Sequence, residues 1–270
     1  MVSDTKAPSD GRANTSDAVR IILVLLLVVA QISASALAFA AGWEETPASR
    51  SNANPTLITP ESYAFSIWGL IFLGSILFAL YQALPKNWTN PNLRRAGWLA
   101  VLAFSANTAW QIYNPLYGFH WPSLAIILTI PVSMIVLIFM LSRRDDVSLW
   151  TRVFVFPLFL LGGWGTAAST VNAVITIDWE GWNFLALADL PLALSVLSLS
   201  VLVAALTTWR SGAIDYAAGV VWALAAIAVA NTGDDGNQTV YIAAIGASVL
   251  LGLVLLASWV AAFNRRKTTA

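Results

Sequence analysis

The fold of this chain is decided by one stretch in its middle, Pro157-Leu158-Phe159-Leu160-Leu161-Gly162-Gly163-Trp164-Gly165-Thr166-Ala167-Ala168-Ser169-Thr170-Val171-Asn172. It carries no charge and belongs to an apolar run over residues 151–177, longer than the ~20 residues that a helix needs to cross ~30 Å of hydrocarbon. Trp164 and Asn172 are eight residues apart, so a helix places them on roughly one stripe. Three glycines and Ala168 surround that stripe with small side chains, which provide either close helix packing or free volume. The stretch therefore predicts a membrane-spanning helix.

Similar apolar stretches occur along the whole chain. Short loops separate them, and none of these loops is long enough to form a soluble domain. Lipid offers the backbone no hydrogen-bond partner, so helices are the expected structure, and the alternating strands of ~10 residues that build membrane barrels are absent. The sequence thus predicts an all-α, polytopic transmembrane bundle of eight helices, at about residues 20–42, 62–84, 95–117, 122–142, 151–177, 187–209, 213–230 and 239–263.

The composition agrees with this interpretation and excludes several kinds of site. Hydrophobic residues make up 58% of the 270 residues and charged residues only 10%, so the lipid bilayer is the expected environment. The net charge is zero and no basic stripe occurs, which removes the electrostatic case for binding nucleic acid. The chain has no cysteine and a single histidine, His120, so we expect no metal site and no resident cofactor.

The basic residues predict the orientation in the membrane. With the N-terminus inside, all Lys and Arg residues except Arg50 fall in inside segments, as the positive-inside rule requires. We therefore predict both termini in the cytoplasm, in a bacterial inner membrane. Residues 38–41 also resemble a signal-peptide cleavage site, but the preceding apolar run exceeds the usual 7–15 residues, which favours an uncleaved first helix.

Tryptophan is unusually abundant, with 13 residues. Most lie near predicted helix ends, where an interfacial aromatic belt accounts for them. Trp68, Trp110, Trp164 and Trp222 instead fall inside predicted spans, where a buried indole N–H needs a partner. Asn107 and Asn172 add buried amides to two of the same helices. These groups indicate either an aromatic-walled pocket for a flat apolar ligand or a packed core.

Three motifs resemble those of the TspO/MBR family, the tryptophan-rich sensory proteins and mitochondrial translocator proteins. The segment Thr59-Pro60-Glu61-Ser62-Tyr63-Ala64-Phe65-Ser66-Ile67-Trp68 is similar to the start of helix 2 in that family, which places a Trp eight residues after the second proline of Trp-x-Pro-Pro. The family's helix 3 carries Asn-x-x-Trp, and its helix 5 carries a Trp and an Asn eight residues apart. The matching pairs are Pro60–Trp68, Asn107–Trp110 and Trp164–Asn172. The resemblance covers about residues 18–178.

The chain also departs from the family pattern. Thr59 stands where the family has the first of two prolines, and no Pro-Tyr precedes Trp164. Three helices follow the five that resemble the family. We therefore predict a TspO-like five-helix domain over residues 1–180 and a three-helix extension over 181–270, with the extension lying apart from any ligand cavity.

The resemblance implies a five-helix bundle with a ligand cavity beneath a lid formed by residues 43–59. Members of the family bind porphyrins, sterol-like lipids or synthetic aromatic ligands and often dimerise. The resemblance thus implies a receptor or carrier for a hydrophobic, planar small molecule, tetrapyrrole- or sterol-like, that can also form a homodimer. The ligand-binding residues would be Pro60, Phe65, Trp68, Asn107, Trp110, Trp164 and Asn172.

Two alternatives stay open at this point. One is a structural or assembly subunit of the membrane whose tryptophans only pack against partners. The other is an enzyme that degrades a porphyrin, since such activity has been attributed to the family. Against the enzyme, the sequence offers no nucleophile–base pair and no metal set, and only His120 could act as an acid or base at neutral pH.

Overall fold

The computed structural model describes residues 13–40, 53, 55–142, 144, 147–182 and 188–269. These residues contain no β-strand, and each of the eight predicted spans contains one long helix, so the predicted all-α bundle is confirmed. The helices are α1 (Thr15–Ala40), α2 (Ile67–Ala83), α3 (Pro91–Tyr117), α4 (Trp121–Leu141), α5 (Pro157–Trp179), α6 (Asp189–Ser211), α7 (Ile214–Ala230) and α8 (Gln238–Thr269). A 3₁₀ helix, Ser62–Ser66, leads into α2, and a short helix, Leu149–Val155, leads into α5. Successive long helices run antiparallel, and the end that holds residues 117–121 and 230–238 is called the predicted outer end below.

Among the described residues, six helical segments are long and apolar enough to cross a membrane. The other two long helices, α3 and α7, differ from these for physical reasons. The helix α3 carries many polar residues, but it buries several of them, including Asn107 and Gln111, against α1. The helix α7 is apolar but has only 17 residues, and it packs against α5 and α8. Each helix therefore buries one face in the bundle and exposes the other, as at Leu102 of α3 and Val229 of α7.

The helix α5 is the centre of the bundle. It packs against α2, α4, α6 and α7. Most of its residues are buried, whereas most residues of α8 are exposed. The glycines of α5 allow these close approaches. A Cβ atom on Gly163 would lie 2.1 Å from the carbonyl oxygen of Tyr216 on α7, and one on Gly162 would lie 2.7 Å from Cβ of Met134 on α4. Of the two interpretations of these small residues, close helix packing is therefore correct at these positions.

The crossing of α5 and α7 brings their backbones into contact from both sides. A Cβ atom on Gly219 of α7 would lie 2.7 Å from the carbonyl oxygen of Leu160 and 2.8 Å from the backbone nitrogen of Trp164. The helix α7 also packs against α8, which in turn packs against α6. The last three helices thus pack against the first five, through α6 on α4 and α5 and most closely through Gly219 of α7 on Gly163 of α5.

At the predicted inner end, Arg20 of α1 is fully buried in a network of polar groups. Its guanidinium donates hydrogen bonds to Oε1 of Gln82 (2.6 Å) and to the carbonyl oxygens of Trp88 (3.0 Å) and Leu93 (3.2 Å). Asp17 accepts two hydrogen bonds from Arg94, at 2.6 and 2.7 Å, and lies 3.5 Å from Arg20. The network joins α1 to α3 and to the end of α2. The sequence predicted only that Arg20 lies on the inner side, not that it is buried there.

Candidate functional site

A cavity lies in the predicted outer half of the bundle, between the start of α2 and the helices α3, α5 and α7. Its volume is about 30 Å³, and most of its surface is apolar. The lining residues are Pro60, Phe65, Trp110, Phe119, Trp164, Ala167, Ala168, Val171, Asn172, Ala223 and Ile227.

The helix α5 supplies the largest part of this lining. Its five lining residues follow the spacing i, i+3, i+4, i+7 and i+8, which places them on one face of a helix. The alanines at 167 and 168 leave space between the larger Trp164 and Asn172 at the two ends of this face. The stripe that the sequence predicted on this helix is therefore the wall of the cavity.

Two aromatic side chains hold the indole of Trp164 in place. Phe65 meets it edge to face, with ring centroids 5.7 Å apart, and Trp68 does the same at 6.3 Å. Such geometry is favourable because the positive edge of one ring faces the negative face of the other. Trp68 is half-buried and stacks in turn on Phe72, at 5.4 Å. The start of α2 thus supports the indole from two directions.

Three buried polar atoms of residues that line the cavity have no hydrogen-bond partner among the described residues. They are the indole nitrogens Nε1 of Trp110 and Trp164 and the amide oxygen Oδ1 of Asn172. The three residues are 5%, 3% and 4% exposed, so bulk water does not reach them freely. A buried polar group without a partner costs on the order of 1–3 kcal/mol. The three atoms have almost no exposed surface, so a molecule in the cavity would reach these two donors and one acceptor only after lining side chains move.

The helix α7 holds the start of α2 against the cavity. Nε1 of Trp222 donates a hydrogen bond to the carbonyl oxygen of Ala64 (2.8 Å), and the ring of Trp222 meets that of Tyr63 edge to face at 5.6 Å. Farther out, Nδ2 of Asn231 donates to the carbonyl oxygen of Leu57 (3.0 Å). We call the contacts of Trp222 and Asn231 with residues 57–64 the α7 clamp. It fixes the segment that carries Pro60 and Phe65.

The loop between α3 and α4 closes another side of the cavity. Phe119 is buried in a small apolar cluster with Val171 and Ile175 of α5. Next to it, Nδ1 of His120 lies 2.7 Å from Oε1 of Glu180, at the end of α5. Both contacts tie the loop to α5. The single histidine of the chain therefore holds a loop beside the cavity and does not line the cavity.

The structure brings five of the seven predicted site residues together around the cavity: Pro60, Phe65, Trp110, Trp164 and Asn172. Trp68 lies behind Trp164 and contacts it without lining the cavity. Asn107 is fully buried, but its amide nitrogen donates to Oε1 of Gln31 on α1 (2.8 Å), which directs the side chain away from the cavity. The ligand-binding roles of all seven residues stay predictions.

Two other expectations concern the surroundings of the cavity. The lid was predicted over residues 43–59, of which 43–52 and 54 lie outside the described residues. The expectation that the last three helices lie apart from the cavity is wrong, because Ala223 and Ile227 of α7 line it. The physical reason is the close crossing of α5 and α7 at Gly163 and Gly219, which brings α7 against the cavity wall. The division of the chain into folding units at residue 180 stays a prediction.

Sequence reasoning did not find Phe119, Ala223 or Ile227 as lining residues. Phe119 lies in a loop, and the two residues of α7 carry no polar group that would mark them. One sequence feature does point to α7, namely that Gly219 and Trp222 lie within the shortest apolar span. A glycine and a tryptophan near each other also occur in α5, where they mark close packing beside a large ring.

A family model described as TSPO-like protein matches residues 18–257 of the chain. The match covers most of the chain and continues through α6, α7 and much of α8, whereas the sequence motifs supported a resemblance only to about residue 178. No curated protein and no solved structure matches the chain.

Proposed function

The chain belongs to the TSPO-like protein family, and we propose that it is a membrane receptor or carrier that binds a hydrophobic, planar small molecule in the cavity beside α5. Its long apolar helices and its family make it an integral membrane protein. The proposed ligand class is tetrapyrrole- or sterol-like, with the flat faces against the aromatic rings. Polar groups at its edge would pair with the indole N–H groups of Trp110 and Trp164 and with the amide oxygen of Asn172.

The observation that carries this proposal is the convergence of three unpartnered polar atoms on one aromatic cavity. An indole or an amide that only packs in a core usually finds a partner. The indole N–H of Trp222 has a partner in the carbonyl of Ala64. The amide nitrogen of Asn107 has one in Gln31, although its amide oxygen has none among the described residues. The lining residues of the cavity lack partners at the positions where a ligand would supply them.

The volume of the cavity sets a condition on binding. At about 30 Å³ it is far smaller than the roughly 300–1,000 Å³ of ordinary small-molecule sites. A tetrapyrrole therefore fits only after lining side chains move apart. Phe65 and Phe119 are the aromatic side chains that require the least rearrangement, because they lie on a 3₁₀ helix and on a loop and not on a long helix. The proposal thus includes an opening of the cavity on binding.

The same small volume favours a second candidate, a structural or assembly subunit whose aromatic residues form a packed core. The two candidates differ in whether the cavity opens for a ligand. We do not propose catalysis for this chain.

The proposal is tested by a spectral titration of the purified full-length protein in detergent with a porphyrin and, separately, a bilin. We expect a saturable shift of the tetrapyrrole absorbance with quenching of tryptophan fluorescence. Trp164→Phe should weaken binding about fivefold, because it removes an N–H donor and stacking area worth about 1 kcal/mol. Trp209→Phe, a half-exposed residue at the predicted inner end, is the matched control and should leave binding unchanged. A titration without saturation would favour the structural subunit.

We also propose that both termini face the cytoplasm of a bacterial inner membrane, on the distribution of the basic residues. The native chain has no cysteine, so single cysteines give a clean test. A cysteine at the exposed Asp234 should react with an impermeant thiol reagent on intact cells, and one at Ser142 should react only after lysis. The opposite pattern would reverse the orientation. Pairing as a homodimer is a further proposal, which the size of the purified protein in detergent would test.

A further inference from the structure

Three residues, 118–120, connect α3 to α4 beside the cavity, and we call them the α3–α4 loop. The middle residue, Phe119, lines the cavity and is only 1% exposed. Gly118 begins the loop with a φ of 89°, a backbone conformation that glycine adopts readily and other residues rarely do. The loop therefore holds one large ring over the cavity, next to a residue whose backbone rotates with little steric hindrance.

The face of α5 beneath Phe119 leads from the cavity to the predicted outer end of the bundle. Val171, Ile175 and Trp179 follow one another at a spacing of four residues, which places them on one side of the helix. Val171 lines the cavity, whereas Trp179, about 12 Å farther along α5, is 44% exposed. Phe119 packs on Val171 and Ile175, and its ring lies 6.4 Å from that of Trp179. The ring of Phe119 thus covers the stretch between the cavity and the outer surface.

The side chains outside Phe119 are partly exposed. The ring of His120 meets that of Trp179 edge to face, with centroids 6.0 Å apart. On the same ring, Nδ1 lies 2.7 Å from Oε1 of Glu180, and this is the side-chain hydrogen bond that joins the loop to the end of α5 among the described residues. We call it the His120 latch. The side chains of His120 and Glu180 are 41% and 26% exposed, and a pair so accessible to water contributes little to stability.

The segment that carries Phe65, on another side of the cavity, is held more firmly than the α3–α4 loop. Two of its backbone carbonyls accept hydrogen bonds from the α7 clamp. In addition, the backbone N–H of Glu61 donates to the carbonyl oxygen of Ala226 on α7, at 3.2 Å. The α3–α4 loop is instead fixed to α5 by the partly exposed latch and by the packing of Phe119. Of the two aromatic side chains, Phe119 is therefore the one that moves more readily.

We infer that the α3–α4 loop is the gate of the cavity. When the His120 latch breaks, Phe119 swings outwards, and a ligand enters from the predicted outer end along the face of α5 that ends at Trp179. The exposed rings of Trp121 and Trp182, 5.3 Å apart, also lie at this end, where tryptophan favours the membrane–water interface. The inference rests on the proposed function for its ligand, but the gate opens and closes in the protein without ligand as well.

The first test measures how fast a cysteine beneath the gate reacts in the full-length, detergent-purified protein without ligand. The native chain has no cysteine, so Val171→Cys can be followed alone with a small methanethiosulfonate reagent. Adding His120→Ala should raise its reaction rate on the order of fivefold, because the loss of one hydrogen bond shifts the loop towards the open state. Adding Thr129→Ala is the control and should not change the rate, since that hydroxyl donates to Ala125 in its own helix.

A second cysteine position distinguishes an open gate from a generally loosened bundle. Ile130 of α4 is 2% exposed and packs beside Gly165 of α5, away from the loop. Ile130→Cys should react slowly with and without His120→Ala. An equal rise at both cysteines, or no rise at Val171→Cys, would overturn the inference. It would also be overturned if Trp222→Phe raised the rate at Val171→Cys and His120→Ala did not, because the entrance would then lie at the start of α2.

The second test locks the gate and measures the association of a porphyrin. His120→Cys and Glu180→Cys in one protein are joined by a short bis-methanethiosulfonate cross-linker, which a reductant removes. Association should be about tenfold slower in the cross-linked protein and should recover after reduction, because a closed gate blocks entry. Unchanged association of the cross-linked protein would overturn the gate. If the unmodified protein binds no porphyrin, the proposed function fails, while the reaction rate of Val171→Cys still decides whether the loop is a gate.

Discussion

The buried charged groups at the predicted inner end of the bundle are held by several hydrogen bonds, although Nε of Arg20 and Nε2 of Gln82 have no partner among the described residues. The cavity is lined by polar residues without such a network. The guanidinium of Arg20 donates hydrogen bonds to one side chain and two backbone carbonyls of neighbouring segments. Asp17 accepts two hydrogen bonds from Arg94. By contrast, Trp110, Trp164 and Asn172 each keep a buried polar atom without a protein partner. Satisfied polar networks stabilise one arrangement of helices, while unsatisfied groups reduce stability and are retained where function needs them. We therefore expect the inner end to stabilise the fold, and the cavity end is the part to which we assign the proposed binding.

The largest expected effect is at the inner end. Arg20→Met removes the donor to Oε1 of Gln82 and to the carbonyls of Trp88 and Leu93, and these acceptors stay buried. Breaking a buried charged network in this way costs about 3–5 kcal/mol. We expect a large fall in the melting temperature of the detergent-purified protein. Arg210→Met, at an exposed inner position, is the control and should leave the melting temperature nearly unchanged.

The next effect tests whether the cavity end depends on the packing of α7. In Gly219→Ala the added Cβ would lie 2.7 Å from the carbonyl oxygen of Leu160, so α5 and α7 must separate. Overpacking of this kind costs about 1–3 kcal/mol. We expect a lower melting temperature and a loss of tetrapyrrole binding.

Gly252→Ala is the matched control for this substitution, because nothing lies within 4 Å of an added Cβ at that position of α8. It should keep or slightly raise stability, since Ala favours a helix over Gly by up to about 1 kcal/mol. Unchanged stability of the Gly219→Ala protein would contradict the close crossing of α5 and α7.

A smaller effect distinguishes the indole hydrogen bond of Trp222 in the α7 clamp from that of a tryptophan away from the cavity. Trp222→Phe removes the indole N–H that donates to Ala64, and Trp259→Phe removes the one that donates to Gly212 at the predicted inner end. Each should lower stability by about 1 kcal/mol. Only Trp222→Phe should raise hydrogen exchange over residues 61–66 and alter the tetrapyrrole titration. Equal behaviour of the two variants would remove the special role of the clamp.

The fold could be predicted well from the sequence, because a backbone in lipid must satisfy its own hydrogen bonds and a helix does so within one segment. The apolar stretches located the eight long helices of the described residues, although α3 is more polar and α7 shorter than the other six. The motifs of α3 and α5 predicted residues that the cavity brings together. The prediction failed where a residue's position depends on rotation about a helix or on packing between distant segments. Asn107 lies only three residues before Trp110, yet it faces Gln31 on α1. The role of α7 was missed because a helix crossing cannot be deduced from the apolar pattern of Gly219 and its neighbours.

The burial of Arg20 could not be predicted from the sequence either. A basic residue at the inner end of a span usually faces water and lipid headgroups, and the count of charges gives no sign of anything else. Its burial requires Gln82, two backbone carbonyls and the absence of a side chain at Gly97, where a Cβ would lie 2.7 Å from Cδ of Arg20. These groups come from separate segments, so only the folded structure brings them together.

The central claim is that the unpartnered polar atoms around the cavity mark a binding site, and two asparagines test it directly. Each has a buried amide oxygen without a partner among the described residues. Asn172 lines the cavity and its amide nitrogen makes a 3.4 Å hydrogen bond to Ala168 of its own helix, whereas the amide nitrogen of Asn107 donates to Gln31 on α1 at 2.8 Å. Replacing an unsatisfied buried group by an apolar one of similar size is neutral or stabilising, while breaking a buried hydrogen bond costs on the order of 1–3 kcal/mol. The measurement is the melting temperature of Asn172→Leu and of Asn107→Leu without ligand, combined with the porphyrin titration.

The account predicts that Asn172→Leu keeps or raises the melting temperature and weakens porphyrin binding about tenfold. It predicts that Asn107→Leu lowers the melting temperature and changes binding much less. A fall in the melting temperature of Asn172→Leu without any change in binding would contradict the account, because Asn172 would then be a packing residue of the core.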